Sequence, residues 1–243
     1  GLQLFLEARQ ERKDLLLLQR KPRVDTTLTL QGDYASQGNT EFNDLVLRVK
    51  QARDLFLIIG PPGTGKTSFG MVNVLKEHLL EEGTSVLLLS FTNRAVDEMC
   101  SKLVGEGIDF VRLGSELGCH EAYRSHLLGK RSEACRDGCE NRQMIERCRV
   151  FCGTTTAFNS QIALLSIKHF DLAIVDEASQ ILEPQIVGLL SAKNARTGEH
   201  AIAKFVLIGD EKQLPAVVQQ QGSESMVQEP NLRAIHLTDC RLS

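Results

Sequence analysis

Short continuous runs of apolar residues alternate along this chain with longer helix-forming stretches. The runs Leu55–Ile59, Val86–Ser90, Asp109–Leu113, Arg149–Gly153, Asp171–Val175 and Phe205–Gly209 read as strands. Most are apolar throughout rather than at every second residue, as expected of a parallel sheet covered on both faces. Helices are predicted between them over Lys66–Glu82, Asn93–Val104, Thr156–Leu165 and Glu183–Leu190, with Gly83 suited to end the first. The alternation predicts an α/β fold: one open parallel sheet flanked by helices, with ligands at the C-terminal ends of its strands.

Two regions depart from that rhythm. Residues 1–40 hold a charged helix over Leu4–Arg20 and a polar link over Gln31–Thr40; a helix over Glu41–Arg53 then leads into the first strand. Residues 114–148 are dense in Cys, Arg and Glu, carry no strand signal, and read as a helical insertion at the sheet edge. The expected organisation is an N-terminal flank, 1–40, and a single α/β domain, 41–243, with the insertion inside it.

At 243 residues, with 42% hydrophobic and 24% charged residues, the composition is that of a globular protein. No apolar stretch approaches the about 18 residues that a membrane-spanning helix needs, so no membrane partner is expected. The net charge of −3 hides local surpluses. From Arg124 to Arg149 seven Lys and Arg face four acids, which makes strand guidance by the insertion a hypothesis beside the plainer one of a solvated face. Seven irregularly spaced cysteines do not resemble a secreted disulfide framework, and an intracellular, cytoplasmic protein with free thiols is expected. Cys135, Cys139, Cys148 and Cys152, near Cys119 and His120, leave a zinc site open as the alternative to inert thiols.

The chemistry begins directly after the first strand. Gly60-Pro61-Pro62-Gly63-Thr64-Gly65-Lys66-Thr67, followed by Ser68, fits the phosphate-binding pattern G-x-x-x-x-G-K-[ST] in its strand–loop–helix setting. Backbone N–H groups of such a loop turn inward on phosphates, and the following helix adds its positive end. Lys66 is expected to reach the β- and γ-phosphates, and Thr67 to ligate magnesium, so ATP and Mg2+ are the expected cofactors. A second acid belongs on a neighbouring strand. Asp176 ends the run Asp171–Val175 and is suited to hold magnesium; Glu177 is suited to deprotonate the attacking water.

Three more strand ends carry polar tips. Gln213, in Gly209-Asp210-Glu211-Lys212-Gln213-Leu214-Pro215, is a candidate sensor of the γ-phosphate. Thr92 and Asn93, like Thr154 and Thr155, stand where a helix begins. They read either as N-caps or as donors to a nucleic-acid phosphate.

In this order, GPPGTGKT, TNRAVDEM (92–99), DEASQ (176–180) and GDEKQLP (209–215) resemble motifs I, Ia, II and III of superfamily 1 helicases. The similar branch contains the nonsense-mediated-decay RNA helicase and the DNA-replication helicase–nuclease, bacterial replication-helicase-like members in particular. The resemblance spans about 41–243 and implies the first RecA-like domain of an ATP-dependent helicase or translocase moving on single strands, DNA favoured over RNA. It implies that Lys66 and Thr67 bind phosphate and magnesium, that Asp176 and Glu177 are the magnesium acid and catalytic base, and that Gln213 couples the phosphate to domain movement. It further implies that Thr92, Asn93, Thr154 and Thr155 contact the strand backbone, with Pro215 near the bases. The adenine-reading amide of the family falls at Asn43 in place of the usual glutamine. The later motifs and an arginine finger belong to a second RecA-like domain, expected elsewhere in the parent chain, so this piece alone is expected to hydrolyse ATP poorly. The rival readings are a P-loop kinase of a small metabolite and an ATP-gated scaffold without motor function.

Overall fold

A computed structural model describes residues 2–35, 40–60 and 70–210. The elements in chain order are α1 (Leu2–Leu6), α2 (Gln10–Leu16), α3 (Glu41–Gln51), β1 (Leu55–Ile59), α4 (Val72–Leu79), β2 (Val86–Ser90), α5 (Asn93–Gly105) and β3 (Val111–Arg112). There follow α6 (Leu128–Glu133), α7 (Gly138–Arg147), β4 (Val150–Thr154), α8 (Thr155–Ser160), α9 (Ala163–Ile167), β5 (Phe170–Val175), α10 (Glu183–Ser191) and β6 (Ile202–Gly209). The six strands form one sheet in the order β1-β6-β5-β2-β4-β3. Every pairing is parallel. Parallel neighbours need crossover connections, and helices supply them.

Alternate residues of each central strand feed two separate cores. Leu87, Leu89, Phe151, Ala173, Val175 and Phe205 pack on one face with Phe158, Leu164 and Leu189 of α8–α10. Leu88, Cys152, Leu172, Ile174 and Val206 pack on the other with Val46, Leu75, Val96 and Met99 of α3–α5. This is why the strands read as unbroken apolar runs: both faces are dry. Truncating one of these fully buried leucines to alanine removes about 2–5 kcal/mol of stability.

The predicted helix over Leu4–Arg20 is two helices. Arg9 takes extended geometry (φ −63°, ψ 146°), and the break lets α1 lie against α10. It also turns Arg12 inward, where its guanidinium donates to the carbonyls of Leu190 (3.1 Å), Ile202 (2.8 Å) and Ala203 (3.2 Å). The predicted helix over Thr156–Leu165 likewise breaks at Gln161, so that α8 buries Phe158 and α9 buries Leu164 and Leu165. The third predicted strand shrinks to Val111–Arg112 because it is a sheet edge with one partner, β4. The insertion is helical as expected: a 3-10 turn over Glu121–His126, then α6 and α7.

The N-terminal flank is bound tightly to the sheet. Leu15 is buried in the core. Asp54, at the foot of β1, accepts from Arg20 at 2.7 Å and Arg23 at 3.1 Å. Glu77 of α4, fully buried, accepts from Lys50 (2.7 Å), the N–H of Gln31 (2.9 Å) and Gly32 (3.0 Å), and the Tyr34 hydroxyl (2.7 Å). Among the described residues, no helix is long and apolar enough to cross a membrane.

Candidate functional site

Because all strands run the same way, their C-terminal tips line one edge of the sheet. Leu57 of β1, Leu207 of β6, Val175 of β5, Leu89 of β2 and Gly153 of β4 form one row across it. Polar residues begin one step further on. Asp176 extends the β5 ladder, donating its N–H to Leu89 O at 2.8 Å, beside Ser90 and its partner Thr154. Gly60, the first residue of the phosphate-binding motif, donates its N–H to Gly209 O at 3.3 Å.

The two acids of β5 are set apart by the backbone. Asp176 is 6% exposed, and its Oδ1 accepts the N–H of Glu177 at 2.9 Å. Burial lowers the pKa of nearby Lys102, while Glu98 and Asp176 pull it up. Glu177 adopts left-handed geometry (φ 54°, ψ 32°), which costs a residue with a Cβ about 1–2 kcal/mol. The turn throws its side chain toward β2. There Oε2 accepts from the Ser90 hydroxyl at 3.0 Å and from the Thr92 hydroxyl at 3.4 Å.

Both helix-starting threonines are N-caps. Thr92 Oγ1 accepts from Ala95 N at 3.2 Å, and Thr154 Oγ1 accepts from Ala157 N at 3.1 Å. Only the first pair is open to a ligand: Asn93 is exposed and Thr92 half-buried. Thr154 is 8% and Thr155, the first residue of α8, 1% exposed, so the expected strand contact at Thr155 finds no support. Asn93 lies against Gly118, where an added Cβ would stand 2.8 Å from its amide nitrogen.

Asn43 is also committed. Its Oδ1 accepts the Tyr34 N–H at 2.7 Å and its Nδ2 donates to Asp33 at 2.8 Å. In this arrangement the amide staples the N-terminal flank to α3, and adenine reading gains no support. Pro61, Pro62, Gly63, Thr64, Gly65, Lys66, Thr67, Ser68, Gln213 and Pro215 lie outside the described residues.

Two polar residues of this edge escaped the sequence reading. Ser90 is the lone hydroxyl at the end of the run Val86–Leu89, and that break in an otherwise apolar strand was its signal. Arg112, 1% exposed, sits in the apolar stretch Phe110–Leu113. It donates to Asp97 of α5 at 2.5 Å, to Cys100 Sγ at 3.5 Å and to Gly118 O at 2.9 Å, tying α5 to the insertion.

The cations of the insertion are largely engaged within the chain. Lys130 pairs with Glu116 and Glu133, Arg131 with Asp109, Arg136 with Glu140 and Arg142 with Glu146. Arg149 donates to the carbonyls of Thr84 and Glu81. The local surplus of charge therefore lends little support to strand guidance. The thiols do not converge on a metal: among the described residues, no group of three or more His, Cys, Asp or Glu is placed to hold one. Cys100 and Cys152 lie 3.6 Å apart across α5 and β4, and burial pushes the Cys152 thiol well up.

Comparison with known proteins adds an independent line. A family described as AAA domain matches residues 45–219. The DNA replication ATP-dependent helicase/nuclease JHS1 of Arabidopsis thaliana is 33% identical over 225 residues, covering 90% of this chain and 16% of the relative. The DNA replication ATP-dependent helicase/nuclease DNA2 of Saccharomyces cerevisiae is 32% identical, covering 82% of this chain and 12% of the relative. Its Homo sapiens counterpart is 36% identical, covering 70% and 15%. The chain thus spans about a sixth or less of these relatives' lengths. They are plant, fungal and animal proteins and lend no weight to a bacterial placement. In shape, the chain is similar to the UvsW helicase from bacteriophage T4, with a TM-score of 0.50 at 15% identity, over 76% of this chain and 57% of that one.

Proposed function

Since this chain belongs to the AAA domain family, as a RecA-like domain of the superfamily 1 helicase type, we propose that it is the ATP-binding and hydrolysing half of a DNA translocase or helicase. The observation that carries this is the acid pair at the tip of β5. Asp176 and Glu177 stand on the strand-end edge that also receives Gly60, the start of the phosphate-binding motif. Lys66 and the N–H groups of Gly60–Thr67 would bind the triphosphate, and Glu177 would take the proton of the attacking water.

Asp176 fits magnesium. It is a buried carboxylate, a hard oxygen donor, and forms no ion pair within 4.0 Å among the described residues. When bound with Thr67 and Asp176, the ion would neutralise charge on the phosphates. Gln213 would sense the γ-phosphate. Thr92 and Asn93 would grip a strand backbone at the start of α5, with Pro215 near the bases. Such gripping is nearly independent of sequence and weakens with salt.

DNA is favoured over RNA because the similar relatives are named for DNA replication. For the same reason we place the protein in whichever intracellular compartment holds DNA, not the cytoplasm at large. Residues 1–40 would serve as a docked flank and 41–243 as the first RecA-like domain. A second such domain of the parent chain would supply the arginine that phosphoryl transfer needs, worth about 10³–10⁵ in rate. The test is ATP hydrolysis by the full-length protein with and without single-stranded DNA or RNA. Lys66→Ala and Glu177→Gln should each abolish turnover; wild-type activity in either overturns the assignment.

A further inference from the structure

Asn93 is the first residue of α5, and it is exposed. Among the described residues its side-chain amide forms no hydrogen bond, so its N–H donors are unspent at the strand-end edge. An amide without partners is oriented only by what it packs against. Here that is Gly118, in the loop that opens the insertion. A Cβ added at Gly118 would stand 2.8 Å from Asn93 Nδ2, 3.2 Å from Cγ and 3.4 Å from Oδ1. The three nearest atoms all belong to this one side chain.

The backbone at 118 does not ask for glycine. Its φ lies outside the left-handed region, unlike that of Gly114 (φ 143°) in the same loop. The missing side chain therefore provides room, and the room is taken by the Asn93 amide. The loop itself is pinned. Gly118 donates its N–H to Ser115 O at 3.2 Å and accepts at its carbonyl from Arg112 at 2.9 Å. Arg112 is buried and paired with Asp97, one turn along α5 from Asn93. The same Asp97 oxygen accepts the His120 N–H at 3.3 Å. The helix that carries Asn93 thus holds, through its own Asp97, the loop against which Asn93 rests.

We propose that Gly118 is a positioning residue for the strand grip: its bare backbone sets where the Asn93 amide meets a phosphate of single-stranded nucleic acid. The proposal rests on the reading of Asn93 as a strand contact. It gives the insertion a part in binding that needs none of its charges.

The experiment is a double-mutant cycle on the full-length protein. Its readout is the Kd for a fluorescein-labelled single-stranded oligo-dT, followed by anisotropy at one fixed salt concentration. Asn93→Ala should raise Kd about tenfold, the worth of one hydrogen bond to a charged group. Gly118→Ala should raise it by nearly as much, because the new methyl group drives the amide off its place. Its thermal denaturation midpoint should stay at the wild-type value, since only the end of a flexible side chain has to move. The double variant should bind no worse than Asn93→Ala alone. A general disturbance of the loop does not produce that result: independent effects multiply, to about a hundredfold. Gly118→Ala binding like wild type, adding its full factor on top of Asn93→Ala, or lowering the denaturation midpoint overturns the proposal, provided Asn93→Ala weakens binding. If Asn93→Ala binds the strand like wild type, the underlying reading of Asn93 is what fails.

Discussion

Glu77 is the most consequential buried charge outside the site, and its removal has a calculable effect. Burial pushes its carboxyl up. The Lys50 ammonium, the N–H of Gln31, the Tyr34 hydroxyl and the N–H of Gly32 outweigh that and bring its pKa from 4.5 down to about 2. A folded-state pKa below the unfolded one means that the stabilisation is complete above pH 4.5 and is lost as pH falls toward 2. The gap is worth about 3 kcal/mol at neutral pH. Glu77→Gln keeps the volume but replaces an acceptor with an amide that donates toward groups already donating. It also leaves Lys50, 8% exposed, with Glu81 at 3.4 Å as its remaining carboxylate. The expected loss is about 3 kcal/mol at pH 7, in line with breaking other buried pairs. Urea unfolding followed by circular dichroism from pH 7 to pH 2 should show wild type and variant converging as the pH drops. Hydrogen exchange should show the amides of Gln31 and Gly32 losing protection. A variant within about 0.5 kcal/mol of wild type at pH 7, the usual range of a surface substitution, refutes the reasoning.

Two further outcomes follow from buried groups. Burial, then Lys204, push the pKa of His78 from 6.5 down to about 4, against the pull of the Val74 carbonyl. Its ring therefore stays neutral when the unfolded chain gains a proton, and stability falls as pH drops from 6.5 toward 4. His78→Gln should flatten the denaturation midpoint against pH across that window. Among the described cysteines, Cys139 is exposed while Cys100, Cys148 and Cys152 are buried. Peptide mapping after brief treatment with a thiol reagent should find Cys139 labelled first and those three only after unfolding.

The sheet was legible in the sequence because its strands are dry on both faces. Apolar runs such as Val86–Leu89 and Leu172–Val175 have no other economical arrangement beside crossover helices. Asp176 and Glu177 were legible for the same reason: an apolar run fixes where the strand must stop. Reach across the chain was not legible. Nothing local says that Arg12 finds the end of α10 and the start of β6, or that Asn43 is consumed by Asp33 and Tyr34. Charge counting says little about the insertion, because arginines four residues before an acid, or facing Asp109, look free in a list and are paired in space. The break at Arg9 also depends on partners, since α10 decides which way α1 must lie.

The docking of the N-terminal flank bears on where the working unit begins. Family resemblance places the first residue of the ATPase near 41, yet the wiring of the fold crosses that line repeatedly. A piece trimmed to start at 41 would lose Arg20 and Arg23 from Asp54, three donors from Glu77, and the guanidinium that satisfies Leu190 O, Ile202 O and Ala203 O. Glu77 would keep only Lys50 of its four donors, Asp54 would keep the Leu55 N–H but lose both arginines, and the three carbonyls would lose their guanidinium. For anyone dissecting or recombining such modules, the transferable cassette starts upstream of Arg12, more than forty residues before the strand Leu55–Ile59 that leads into the first recognisable motif.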